Sequence, residues 1–195
     1  HIIEHLRGQG VTRFILSVNH LAEMIVNQYG NGADLGVTID YVHETMRMGT
    51  GGALSLVDHD DLTDPFLCLN GDILNDVDVR ALQDHHQQNG WDATMVLWEH
   101  SLSVPYGVVR TTPTQEFDYA EEKPTLQFTI NAGIYMLSKS ALKAVPKGVF
   151  YDLPTLFGDL KARSMRSGTY KHQGRWIDIG NVAEFERARQ ILEGK

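Results

Sequence analysis

Apolar residues in this chain recur first at helical spacing and then in short unbroken runs, and the two patterns alternate up to about residue 78. "IIEHLRGQG" (2–10) predicts a short helix closed by glycine, and "RFILSVN" (13–19) a buried strand. "HLAEMIVNQYG" (20–30) returns to helical spacing, with Leu21, Met24, Ile25 and Gln28 near one face and Gly30 as its stop. "VTIDYVHE" (37–44) predicts a strand, "TGGALSLV" (50–57) a loop entering a helix, and "PFLCLN" (65–70) a strand with almost no polar interruption. Strands that are oily on both faces and alternate with helices predict a parallel sheet covered on both sides.

Beyond residue 78 the alternation loosens. "DVRALQDHHQQNG" (78–90) reads as a helix and "WDATMVLWE" (91–99) as a strand. "YGVVRTT" (106–112), "EFDYAEEKP" (116–124) and "INAGIYMLS" (130–138) are strand-like with no helix between them, which predicts an antiparallel or mixed extension grafted on the parallel sheet. "KSALKAVP" (139–146) and "DLPTLFGDLKARS" (152–164) predict helices; "GTYKHQG" (168–174) and "RWIDIG" (175–180) are strand-like. "NVAEFERARQILEGK" (181–195) is an amphipathic closing helix with Asn181 as its cap. No repeat, low-complexity tract or linker divides the chain, so residues 1–195 are expected to form a single α/β domain.

Composition agrees. A chain of 195 residues that is 42% hydrophobic and 22% charged can bury a core of its own. No apolar run nears the roughly 20 residues a membrane span needs, and "HIIEHLRGQG" lacks the pattern of a secretion signal. The one cysteine, Cys68, sits among apolar neighbours and has no internal disulfide partner, so a buried thiol in a reducing, cytoplasmic setting is expected. A net charge of −8 with scattered basic residues argues against a nucleic-acid groove. Phosphates would have to be handled locally, by a few side chains, backbone amides or a metal.

The candidate chemistry lies at the ends of the oily strands. In open α/β sheets, ligands bind beyond the carboxyl ends of strands. Asp72, after "PFLCLNG", has that position; Asn70-Gly71 can equally mark a plain turn, although the residues that follow lead to a helix rather than a returning strand. Asp178 in "GRWIDIGN" also stands between a strand and a helix, where it could serve a cation or only the helix dipole. Two strand-end carboxylates can converge on one Mg²⁺, which substrate phosphates and water would complete. "MGTGGAL" (48–54) places Gly49, Gly51 and Gly52 where a backbone could approach a ligand closely, or simply turn. Lys123 in "YAEEKP" suits a single phosphate or a solvated surface. Asn131 before Ala132-Gly133 could bond a polar ligand such as a sugar, or start a strand with a bulge glycine. His85 and His86 are adjacent on a predicted helix and diverge by about 100°, which makes them poor joint ligands. "DHDD" (58–61) reads as a solvated loop.

Taken in order, GTGGAL, NGD, YGVV, EEKP, NAGIY and W-x-D-I-G resemble the sugar-1-phosphate nucleotidyltransferases, also called nucleoside-diphosphate-sugar pyrophosphorylases. The likeness spans nearly the whole chain, and the mannose-1-phosphate guanylyltransferase-like branch looks nearest. The resemblance implies a Rossmann-like, mostly parallel sheet with helices on both faces and a mixed sheet over a sugar site. It implies the reaction of a nucleoside triphosphate with a sugar 1-phosphate to give an NDP-sugar and pyrophosphate, without a covalent enzyme intermediate. Gly49, Gly51 and Gly52 would lie against the nucleoside, and Asp72 and Asp178 would hold Mg²⁺. Gly107 would approach the sugar, Glu122 would bond its hydroxyls, Lys123 would bind the sugar phosphate, and Asn131 and Gly133 would line the sugar pocket.

The chain departs from that family at its beginning. The family opens with a strand and a loop of the form G-G-x-G-T-R-L-x-P-L-T, neither of which is found here. The expectation is a nucleotide-diphospho-sugar transferase fold lacking its first strand, that is, an N-terminally truncated domain. A further expectation is that another copy or another segment fills the gap with a borrowed strand, and another copy would make a homo-oligomer. The competing functional reading is a non-catalytic module that binds an NDP-sugar without turnover.

Overall fold

The computed structural model describes residues 1–180 and 182–192. The chain begins with helix α1 (Ile2–Gly8), strand β1 (Arg13–Val18), helix α2 (Ala22–Tyr29) and strand β2 (Thr38–His43). Next come β3 (Phe66–Leu69), the short β4 (Ile73–Asn75), α3 (Val79–Asn89) and β5 (Ala93–Ser103). A hairpin of β6 (Gly107–Thr111) and β7 (Phe117–Glu122) leads into the long β8 (Thr125–Leu137). The chain ends in α4 (Leu153–Ala162), β9 (Ser167–Lys171), β10 (Trp176–Asp178) and α5 (Val182–Leu192). No described helix is long and apolar enough to cross a membrane. The cap expected at Asn181 lies outside the described residues.

The architecture is α/β, as expected, with fewer parallel pairings than the alternating pattern suggested. β1 and β2 are parallel, as are β5 and β9, while β8 runs antiparallel to both β3 and β5 in a four-stranded sheet ordered β3-β8-β5-β9. The physical reason is β8 itself: 13 residues long, it passes between β3 and β5 and imposes its direction on both contacts. Its second half is buried on both faces. Tyr135 and Leu137 join Phe66, Leu142, Leu153, Leu156 and Leu160 on the α4 side. Ile134 and Met136 join Ile73, Val77, Leu82 and Val96 on the α3 side. A strand covered on both faces needs apolar residues at successive positions, which is why "GIYML" does not alternate. The outer halves of β5 and β8, and the β6–β7 ladder, form the predicted antiparallel extension; β7 is exposed throughout.

Three local expectations need correction. β1 was expected to be buried, yet Phe14, Ile15 and Leu16 are only half-buried and just Val18 is fully so. Among the described residues β1 has a strand partner on one edge only, so its other edge lacks that cover. The helix expected after "TGG" is a single 3₁₀ turn, Gly52–Ser55, because two adjacent glycines oppose helix propagation and Ser55 Oγ bonds back to the Gly52 carbonyl at 2.7 Å. "KSALKAVP" likewise forms a 3₁₀ segment, Lys139–Ala144, too short for a stable α-helix and followed by Pro146. Cys68 is partly buried against the α4-side core, and desolvation pushes its thiol up to about 12, which makes it unreactive.

Candidate functional site

Asp72 follows the turn at the end of β3, and Asp178 is the last residue of β10. β4 and β10 pair antiparallel with Asp178 opposite Ile73, and the Ile179 N–H donates to the Asp72 carbonyl at 2.8 Å. Two carboxylates far apart in sequence thus stand side by side. Desolvation raises the pKa of Asp178, and the negative charges of Asp72 and Glu184 raise it further. Like charges held close by backbone bonds call for a counter-charge. Among the described residues no third His, Cys, Asp or Glu completes a ready-made metal cluster with them. Two carboxylate ligands, with the remaining positions left to water and phosphate oxygens, match the donor set that Mg²⁺ commonly accepts.

Gly133 sits against this junction. It has φ +68°, and a Cβ there would meet the Ile73 Cδ1 and lie 2.8 Å from Asn70 Nδ2. Its carbonyl accepts from Asn70 N at 3.0 Å, and its N–H donates to Asn131 Oδ1 at 3.0 Å. The glycine therefore lets β8 pass close behind the Asn70-Gly71-Asp72 turn. Asn131 donates through Nδ2 to the Tyr135 hydroxyl at 2.6 Å, so its amide is already engaged on both sides.

The glycine loop faces the chain's own segment 149–153. Gly51 N–H donates to the Tyr151 carbonyl at 2.8 Å, and Cβ atoms at Gly49 and Gly52 would come within 2.7 Å of the Tyr151 carbonyl and 2.6 Å of the Val149 carbonyl. The close approach that the three glycines permit is to this backbone. Thr50, between them, donates through N and Oγ1 to Asp152 Oδ1 (3.0 and 3.3 Å), and its Oγ1 accepts from Leu153 N at 3.0 Å. Asp152 occupies the N-cap position of α4 without capping it; the Thr50 hydroxyl takes over one of those bonds. Burial raises the pKa of Tyr135; the Asn131 amide opposes that shift, and the charges of Cys68 and Asp152 add to it. Thr50 is thus bonded to Asp152, and separately Asn131 to Tyr135 and Gly133.

The remaining predicted residues form a separate group. Gly107 pairs with Glu122 in the β6–β7 ladder, and a Cβ at Gly107 would lie 2.9 Å from Glu122 Oε2. Lys123 follows in a left-handed conformation (φ 48°), its N–H donating to the Tyr106 carbonyl at 3.2 Å. All three are exposed. The structure thus joins Asp72, Asp178, Asn131 and Gly133 closely, seats Gly49, Gly51 and Gly52 against residues 149–153, and leaves Gly107, Glu122 and Lys123 on the hairpin.

Sequence reasoning missed Asp152, Tyr135 and two tryptophans. A cavity of about 420 Å³ opens beside Asp178, lined by Trp98, His100, Arg175, Trp176 and Arg187 among others. The Trp98 and Trp176 rings lie 5.1 Å apart at 31°. Trp176 was within reach of the sequence, since strand period two puts it on the same face as Asp178.

The nucleotidyl transferase family model matches residues 1–195. The chain is 29% identical over 206 residues to mannose-1-phosphate guanylyltransferase of Mycobacterium tuberculosis, covering 98% of this chain and 55% of that protein. It is 30% identical over 208 residues to UTP–glucose-1-phosphate uridylyltransferase of Synechocystis, covering 96% and 53%. The chain therefore spans about half the length of the curated relatives it matches. Among solved structures, HddC from Yersinia pseudotuberculosis complexed with GMP-PN superposes with a TM-score of 0.74 at 23% identity, over 97% of this chain and 83% of that one. That likeness speaks for the fold, while the match along the full sequence places this chain in the nucleotidyl transferase family.

Proposed function

We propose that the protein transfers a nucleotidyl group from a nucleoside triphosphate to a sugar 1-phosphate, giving an NDP-sugar and pyrophosphate, with mannose-1-phosphate guanylyl transfer as the leading case. The observation that carries this reading is the convergence of Asp72 and Asp178 on the paired β4 and β10. In this reading the two carboxylates hold Mg²⁺, which would neutralise phosphate charge during an in-line attack. The sugar phosphate oxygen attacks the α-phosphorus directly, so the chain's own residues act by positioning and charge. Lys123, at the hairpin end, would receive the sugar phosphate as a point charge on its long side chain. Glu122 and Gly107 beside it would meet the sugar. Gly49, Gly51 and Gly52 would shape the nucleoside side indirectly, by seating the 149–153 segment. A cytoplasmic setting, with its nucleotide supply, accords with this chemistry.

The relatives named above are transferases, which is why catalysis is preferred to a binding module. Pyrophosphate release from GTP or UTP with a panel of sugar 1-phosphates tests the reading. At least one pair should turn over in a Mg²⁺-dependent way, and Asp72→Asn and Asp178→Asn should each abolish that turnover while keeping a cooperative melt. Turnover unchanged in both variants would sink the assignment of the pair.

A further inference from the structure

The ladder that brings Asp178 beside Asp72 is only three residues long on each strand, and a pairing so short is marginal by itself. It also has to hold against the repulsion of the two carboxylates it brings together. One side chain that the proposed reaction does not use reinforces it. Asp76 directly follows β4, and its Oδ1 accepts at 2.7 Å from the N–H of Arg175, the residue directly before β10. The reciprocal backbone bond, from Asp76 N–H to the Arg175 carbonyl, is 3.3 Å long. The ladder is therefore closed at one end by Ile179 N–H on the Asp72 carbonyl and at the other by the Asp76 carboxylate, whose charge strengthens the bond it accepts.

The segment between β9 and β10 is built around that carboxylate. His172, which is buried, has its Nε2 3.0 Å from Asp76 Oδ1 and 3.2 Å from the Arg175 carbonyl. Both neighbours are acceptors, so Nε2 carries the hydrogen, bonded to the Arg175 carbonyl with its positive end beside the carboxylate. A Cβ at Gly174 would run into Asp76 Oδ1 and the His172 ring, so a glycine is what admits the carboxylate here. The segment is tied to β5 as well, through His172 N–H on the Leu97 carbonyl at 2.9 Å and Trp98 Nε1 on the Gly174 carbonyl at 3.1 Å. Asp76 thus links β4, which follows Asp72, to a β9–β10 segment already fixed to the main sheet.

We propose that Asp76, held by His172, is a positioning residue for the metal site: it keeps β10 in register on β4, so that Asp72 and Asp178 stand together before Mg²⁺ arrives. The inference rests on the proposed reading of that pair as the Mg²⁺ ligands. Its logic is that of a pre-organised site. Where the ladder opens in part of the molecules, Mg²⁺ binds only the closed remainder, and the apparent affinity falls in proportion.

Calorimetric titration of the chain with Mg²⁺, beside amide hydrogen exchange at Ile179 without the ion, tests this. Asp76→Ala should weaken Mg²⁺ binding about tenfold, as loss of an outer partner of a metal ligand commonly does, and should speed exchange at Ile179. Asp76→Asn keeps an acceptor for Arg175 N–H and should restore most of both. His172→Phe should act as a milder Asp76→Ala, while His172→Gln keeps an amide N–H near the Nε2 position and should stay closer to the unaltered chain. That second pair carries the test should Asp76→Ala lack a cooperative melt. A lower melting temperature with Mg²⁺ affinity and Ile179 exchange both unchanged would make Asp76 merely structural and overturn the inference. So would an Asp76→Asn variant as impaired as Asp76→Ala, which would indicate a direct effect of charge on the ion. In either case the reading of Asp72 and Asp178 stands, provided that Asp72→Asn abolishes Mg²⁺ binding. An unaltered chain that takes up no Mg²⁺ would overturn the two together.

Discussion

Asp72 and Asp178 are fastened together through the backbone, since the Ile179 N–H donates to the Asp72 carbonyl at 2.8 Å and β10 runs antiparallel beside β4. The pair cannot separate without breaking that ladder, and the cost shows in the raised pKa of Asp178, caused first by desolvation and then by the charges of Asp72 and Glu184. A carboxyl whose pKa is higher folded than unfolded holds its proton more tightly in the native state. Its ionisation therefore lowers stability as pH rises from the unfolded value through the folded one, and the penalty is fully present above the folded pKa.

It follows that Asp178→Asn should raise the melting temperature at pH 7 in the absence of divalent cations, and that the gain should vanish as pH falls towards the carboxyl range. Mg²⁺ should raise the melting temperature of the unaltered chain and leave the variant unmoved. A thermal-shift titration at several pH values, with and without Mg²⁺, reads both effects. A lower melting temperature in the variant, or an equal Mg²⁺ response, would contradict the electrostatic account.

Gly133 has a different kind of constraint. A methyl at this position, with φ +68°, would run into the Ile73 side chain and approach Asn70 Nδ2 to 2.8 Å. Gly133→Ala should cost about 2–4 kcal/mol from left-handed strain and overpacking together. Because Ile73 adjoins Asp72, relief of the clash would displace the carboxylate, so the Mg²⁺-dependent shift should weaken as well. Urea denaturation beside the Mg²⁺ titration separates this outcome from a purely local loss of stability, in which the Mg²⁺ response would be intact.

Thr50 can be tested through its hydroxyl alone. Thr50→Val keeps the shape but removes the acceptor for Leu153 N–H, in the first turn of α4, and one donor to Asp152. The expected cost is about 1–2 kcal/mol, the usual range for losing a helix cap, with most of it restored in Thr50→Ser. Equal stability of Thr50→Val and the unaltered chain in urea would mean that water replaces these bonds.

Much of the fold was legible because its main strands are covered on both faces. Phe66–Leu69 and the second half of β8 needed apolar residues at successive positions, and no other arrangement explains such short oily runs so simply. Period carries no information about pairing order, so the placement of β8 between β3 and β5 could not be read from it. The site divides in the same way. Asp72 and Asp178 were visible as strand-end carboxylates, but their meeting depends on the β4–β10 ladder, a contact between distant segments. The packing of Gly51 and Gly52 against residues 149–153 is likewise non-local, and a glycine-rich loop reads alike whether its close neighbour is a ligand or the chain itself.

His86 provides a test of the core that is independent of the site. It is buried in α3, with Nδ1 bonded to Thr94 Oγ1 at 2.8 Å and Nε2 to Ser138 Oγ at 2.9 Å. Desolvation lowers its pKa and His85 lowers it further, while Asp64 and Asp92 oppose the shift. A histidine whose pKa is lower folded than unfolded gives stability that is fully present above the unfolded value of about 6.5 and is lost as pH falls below it. Urea midpoints should therefore drop between pH 7.5 and pH 5.5 in the unaltered chain. His86→Leu removes the titrating ring but strands the Thr94 hydroxyl, which is wholly buried, so it should cost about 1–3 kcal/mol at pH 7.5. The variant's remaining stability should then be less sensitive to acid than that of the unaltered chain. An equal acid-induced loss in both proteins would place the titration at other groups.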